Sequence, residues 1–339
     1  MKDFNVYLRL RPFVQFHSTF FLFCIFWIHF INQIDFQYLK IIILVISYFI
    51  SGVGAYLMND YFDQRQDKIA RKANLTVNKN KFKVLFTIFI LWLSSSLLLL
   101  VFSRSAAILL LVQFALLFAY SSPLIRLKEH SFWGVITDAL YAFVIPILIA
   151  LSLFNLNVHS TTVISLLFFN LSIGIRDILI HQQKDIKNDL KSITNTFATK
   201  YKEKISLFLQ TAQIAAIIAL LVLIAYSVNT KTQLPFFILG LGCGFVLLFI
   251  SIVYLKKSLK NNYLIRFFVL FSIVFLNYYF IEKENYFGLI LCLHPYFWNF
   301  LTETKNAISL TVNSILYLIF KPFGRDIKKH PLYRKKNNL

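Results

Sequence analysis

The feature that most constrains this chain is a ladder of apolar runs, each near the length that crosses a bilayer. A helix rises 1.5 Å per residue, so a hydrocarbon core of ~30 Å asks for roughly 20 apolar residues. Runs of that kind fall at Phe13–Ile34, Leu39–Leu57, Phe82–Phe102, Ser105–Tyr120, Phe132–Leu153, Thr161–Ile180, Ile205–Val228, Leu234–Leu255 and Leu264–Ile281. They predict an all-α integral membrane protein of about nine transmembrane helices. No alternation of period two suggests strands, and no low-complexity segment interrupts the ladder. With 58% of 339 residues hydrophobic, the interruptions are too short to build a separate soluble domain.

Basic residues explain the rest of the composition. The net charge of +20 would suggest nucleic acid in a soluble protein, but here the bases crowd into alternate short loops. The loop after the second run holds Arg65, Lys68, Arg71, Lys72, Lys79, Lys81 and Lys83; the loop after the sixth holds Lys184, Lys187, Lys191, Lys200, Lys202 and Lys204. Opposite loops hold only Lys40, Arg104, Lys231 and Lys283. That bias sets topology, with the N-terminus and even loops cytoplasmic and no role for nucleic acid. The first run lacks a small-residue cleavage site and reads as a retained span of a cell (inner) membrane protein. Cys24, Cys243 and Cys292 lie in apolar runs with no C-x-x-C spacing, so neither zinc nor a disulfide framework is indicated.

Against so few acids, two clusters stand out. Asn59, Asp60, Asp63 and Asp67 follow the second run, and the three carboxylates share one helical face. His181, Asp185 and Asp189 form a second stripe at i, i+4 and i+8 after the sixth run, with Gln182 and Asn188 beside it. A solvated helix end would explain either cluster alone, since bases are interleaved. Both lie on the same expected membrane face, where the two stripes can converge and together offer five carboxylates. Hard divalent cations such as Mg²⁺ take such oxygen ligands, commonly shared with substrate phosphates. Between them lies Tyr120–Lys128, Y-S-S-P-L-I-R-L-K, where Pro123 ends a helix and leaves Arg126 and Lys128 free for phosphate oxygens.

These residues resemble the UbiA-type intramembrane prenyltransferases. Asn59, Asp60, Asp63 and Asp67 match that family's N-D-x-x-D-x-x-x-D, and Asp185 and Asp189 match its D-x-x-x-D, followed by Thr196-Phe197. Tyr120, Ser121, Pro123, Arg126, Leu127 and Lys128 match the linking motif, and Tyr7–Pro12 looks like the family's start. The chain departs at Asn74-Leu75, where many relatives have R-P, at Gln182, where some have an acid, and around Ile193, where the usual glycine is missing.

The resemblance implies a helical bundle around a central cavity over residues 1–285, with 286–339 unassigned. It implies Mg²⁺-dependent transfer of a prenyl group from a polyprenyl diphosphate to an aromatic or lipid-like acceptor. Asp60, Asp63, Asp185 and Asp189 would hold the metal and Asp67 would join or tune that shell, making all five catalytic. Asn59, Arg126, Lys128, Tyr120 and His181 would contact substrate. Phosphoribosyl transfer to a polyprenyl phosphate is an alternative on the same fold. A cation-coupled transporter is the rival of another class, although its acids belong at mid-membrane depth. His17 and His29 read as packing residues, while Asp138, costly in lipid, and more weakly Asn170 are candidates to line an acceptor pocket. The apolar segments Tyr286–Leu301 and Ala307–Phe320 leave open whether the basic tail lies inside or outside.

Overall fold

The computed structural model describes residues 19–32, 34–156 and 159–227. The runs at 234–255 and 264–281, the two C-terminal apolar segments, His17 and the opening motif at 7–12 lie outside the described residues. Among the described residues the architecture is all-helical, in the order α1 (Thr19–Asn32), α2 (Tyr38–Ala70), α3 (Lys81–Leu100), α4 (Arg104–Ser121), α5 (Ser131–Leu153), α6 (Thr161–Lys191), α7 (Phe197–Lys200) and α8 (Ile205–Ser227). Six of these, all but α1 and α7, are long and apolar enough to cross a membrane. About nine crossings were expected; six is the number the described residues carry, because the last two runs lie beyond them and α1 shows only 14 residues.

Helix starts follow their polar residues. Asn80, Ser103, Ser160 and Thr196 each accept a backbone N–H from the first turn of α3, α4, α6 and α7. Apolar side chains then sort by environment. Phe82, Phe86, Phe89, Leu97, Leu111 and Val112 are exposed on α3 and α4, as lipid-facing positions would be. Phe20, Phe23, Phe26, Trp27 and Phe169 are buried, and Phe20 of α1 meets Phe169 of α6 at 6.0 Å. His29 is buried among them, with Nδ1 2.9 Å from the Ile25 carbonyl and its ring stacked on Phe36. Polar contacts join neighbouring spans where water is absent: the Ser95 hydroxyl donates to the Ser47 carbonyl at 2.8 Å between α2 and α3.

Two helices overshoot a bilayer. α2 has 33 residues and α6 has 31, so each is close to 50 Å long. Both carry their acids near the C-terminal end, beyond the first ~30 Å of helix. Asp60 comes 22 residues after Tyr38, and Asp185 comes 24 after Thr161. The short connection from α4 to α5 is drawn onto the same end. A Cβ on Gly134 would lie 2.7 Å from the Leu127 carbonyl oxygen, so only glycine lets the turn Leu127–Glu129 settle on α5.

Candidate active site

The two acid stripes face one cavity of about 640 Å³. Its lining includes Asn59, Asp60, Asp63 and Asp67 from α2, His181, Asp185, Asn188 and Asp189 from α6, and Tyr120, Arg126 and Lys128. Every residue expected to hold the metal or the diphosphate therefore reaches the same space, although about 120 residues separate the stripes along the chain. Among the described residues no three His, Cys, Asp or Glu side chains stand close enough to enclose a metal by themselves. The donors are nevertheless carboxylate oxygens on two walls of one cavity. That suits a hard cation such as Mg²⁺, which completes its octahedron with waters and substrate oxygens.

Asp60 is 1% exposed, and its Oδ2 lies 3.3 Å from the Leu75 N–H. Asp63 receives both Lys128 Nζ and, at 3.4 Å, Arg126 Nη2. The sequence left Arg126 and Lys128 free; the structure engages them instead, because the turn behind α4 folds onto α2. Arg126 adopts φ 51° in the left-handed region, accepts the strain, and also pairs with Glu129. Burial lowers the Lys128 ammonium below its usual range, and the facing Asp63 carboxylate opposes that. Asn59 accepts a hydrogen bond from Ser121 at 3.4 Å. Tyr120 is buried edge-on to Tyr141, with ring centroids 5.5 Å apart.

On α6, Asp185 is met from across the cavity by Lys72, 2.8 Å away, and His181 Nδ1 lies 3.5 Å from the same oxygen. The His181 side chain is 72% exposed. Thr196 donates to Asp189 Oδ2 at 3.1 Å while capping α7, which gives a physical reason for a threonine there. Gln182 accepts from the Ala198 N–H at 3.2 Å and leaves its buried Nε2 without a partner at the cavity. Gln66 Oε1 is similarly unpaired. An oxygen-rich ligand here would satisfy the Gln182 donor, whereas the Gln66 acceptor asks for an N–H or O–H.

Two working residues escaped the sequence. Lys72 was counted as one base of a topology-setting loop, yet it ties the end of α2 to α6. Arg71, at φ 57°, ends the helix in the left-handed region and the Lys72 N–H closes on the Asp67 carbonyl at 2.8 Å. Asn74 marked only a departure from the family pattern. Its amide donates to the Asp60 carbonyl at 2.6 Å and to Asp67 Oδ2 at 2.7 Å, pinning the loop over the first stripe. An asparagine four residues past a helix could have signalled a turn, but not its partners.

Asp138 and Tyr141 line the cavity farther along α5, as does Asp177 on α6. Asn170 does not line it: its amide turns toward α1, 3.7 Å from Cys24 Sγ, and to the Leu166 carbonyl at 2.8 Å. Ile193 follows α6 at φ 56°, where the missing family glycine would be unstrained.

The model of the UbiA prenyltransferase family matches residues 18–278. No curated protein sequence matches the chain. Among solved structures, a UbiA homolog from Archaeoglobus fulgidus bound to DMAPP and Mg²⁺ superposes with a TM-score of 0.59 at 14% identity, over 84% of this chain and 98% of that one. The same homolog bound to GPP and Mg²⁺ gives 0.59 at 16% identity, over 84% and 99%. A digeranylgeranylglyceryl phosphate synthase gives 0.56 at 15% identity, over 91% and 99%. At these identities the superpositions speak for the fold; the match of the family model over most of the chain carries the assignment. This chain belongs to the UbiA prenyltransferase family.

Proposed function

We propose that this protein transfers a prenyl group from a polyprenyl diphosphate to an aromatic or lipid-like acceptor, in a Mg²⁺-dependent reaction at the membrane. The observation that carries the reading is the convergence of two carboxylate stripes and the Arg126/Lys128 turn on one cavity with apolar helices around it. Solved relatives of this fold hold DMAPP or GPP together with Mg²⁺, which supports the same pairing here.

Asp60, Asp63, Asp185 and Asp189 would hold Mg²⁺, and the cation would supply charge neutralisation to a leaving diphosphate. Asp67, tied to Asn74, holds the end of the first stripe in place. Arg126, Lys128 and Lys72 carry positive charge beside the carboxylates and bind diphosphate oxygens as negative charge grows on them. Asn59, Tyr120 and His181 complete the polar contacts. The allylic C–O bond breaks with its electron pair going to the diphosphate oxygen. Apolar walls keep water from the allylic cation. The acceptor then forms the new bond and releases a proton.

The uneven distribution of bases supports an orientation with the acid end and the N-terminus on the cytoplasmic side of a cell membrane. We assign the prenyltransferase unit to residues 1–285 and treat 286–339 as an appended segment. The test is diphosphate release by the purified protein supplied with geranyl diphosphate, Mg²⁺ and a panel of aromatic and lipid acceptors. Release is expected only with Mg²⁺ and to fall by about 10²–10³-fold in Asp60→Asn; full activity in that variant would overturn the metal assignment.

A further inference from the structure

The cavity extends past the acid stripes, and that deeper part has its own chemistry. Asp138 comes seven residues after the start of α5, ~10 Å along it, and Asp177 comes eight residues before Asp185, ~12 Å below it. The bases that line the cavity, Lys72, Arg126, Lys128 and His181, belong to the acid end, where they face Asp63 or Asp185. Among the described residues no base lines the deep end. Asp177 is paired behind the wall with buried Arg176, 2.9 Å away, whose Nε also donates to Gln213 of α8 at 3.2 Å. Asp138 has a neutral partner instead, the Tyr141 hydroxyl.

That pair is held by a break in the helix. Residues Leu140–Val144 form a π-turn, in which each carbonyl waits for the N–H five residues on. Tyr141 waits for Pro146, which has no N–H. Gln113 of α4 supplies the missing donor to the Tyr141 carbonyl at 2.7 Å. An extra residue in the turn, a proline and a buried glutamine thus combine to turn Tyr141 toward Asp138 on the cavity wall. The carboxylate keeps acceptor capacity facing the cavity, and a second anion there would meet it with no base to offset the repulsion.

We propose that Asp138 and Tyr141 select the acceptor, admitting a neutral molecule that donates a hydrogen bond through a hydroxyl or amine and rejecting an anionic one. This rests on the prenyl-transfer reading for the word acceptor, but its test reads the pocket without turnover. The protein in lipid nanodiscs is titrated with benzene-1,4-diol and with 4-hydroxybenzoate, matched rings that differ in charge, with and without Mg²⁺ and the non-reacting donor analogue geranyl S-thiolodiphosphate. The diol is expected to bind at least about tenfold more tightly, the ratio that one charge repulsion of moderate strength produces. Asp138→Asn should bring the two affinities within about threefold by improving binding of the anion. Tyr141→Phe keeps the ring but removes the hydrogen bond that favours the ionised carboxylate, and should narrow the gap; it decides the matter if Asp138→Asn does not fold. Equal or tighter binding of 4-hydroxybenzoate by the wild type, no detectable binding of either ring, or a gap untouched by the substitutions overturns the proposal. Failure of the donor analogue to bind with Mg²⁺ instead overturns prenyl transfer, and leaves the gap between the two rings as a separate result.

Discussion

The two acid stripes look alike in sequence and differ in how they are held. On α2, Asp60 is 1% exposed, Asp63 is covered by Lys128 and Arg126, and the loop Ala73–Thr76 folds back so that Asn74 and Leu75 hold Asp60 and Asp67. On α6, Asp185 keeps 22% of its side chain exposed and is met by Lys72 and His181, while Asp189 leans on Thr196. The first stripe is built into the protein by backbone and buried side chains. The second faces it from a more open helix end and is joined to it through one flexible lysine. A rigid wall opposed by a looser one suits a site that must take up a bulky, doubly charged head group and then let the product go.

The comparison can be broken most forcefully at the carboxylates. Asp60→Asn and Asp185→Asn should each lower diphosphate release by about 10²–10³-fold, since each removes a carboxylate that would hold the Mg²⁺ facing the leaving group; steady-state rates with saturating Mg²⁺ measure this. A large loss at only one of the two positions would mean that one stripe works alone. Lys72→Ala should cost about 10–100-fold in kcat/KM, the range for a group that orients ligand side chains. It should spare thermal stability, because the ion pair is partly exposed. If Lys72 only shields like charges, activity will stay and Mg²⁺ affinity will rise instead. Asn74→Ala should destabilise the folded protein by about 1.5 kcal/mol by removing donors to Asp67 and the Asp60 carbonyl, read as a lower unfolding temperature in detergent. Ile193→Gly should act in the opposite direction, adding about 1 kcal/mol by relieving a β-branched residue at positive φ. Activity should be unchanged, since the Ile193 side chain is 85% exposed.

How much of this was legible beforehand depends on range. The spans from α2 to α8 were readable to within a few residues at most ends, because apolar length is a local property that a bilayer reads directly. The stripes were readable because the period of a helix is fixed, so Asp60, Asp63 and Asp67 share a face in any fold that keeps the helix. Arg126 and Lys128 were found as bases in a loop, but their capture by Asp63 was not, since that depends on Gly134 letting a turn lie flat on α5. Lys72 and Asn74 were invisible as site residues for the same reason: their partners are set by where a loop closes in space. Asn170 went the other way, a polar residue in a span that faces Cys24 rather than the cavity.

By itself, then, the sequence determined that this chain lives in a membrane, where its helices run and which helix ends carry negative charge. Hydrophobic length and helical period are written residue by residue. Tertiary structure alone decided that the ends of α2 and α6 face each other, that Lys72 spans between them, and that a π-turn closed by Gln113 holds Tyr141 on Asp138 at the same cavity. Those choices depend on helix packing and on backbone groups seeking partners away from water, and no local window of residues contains both halves of such a contact.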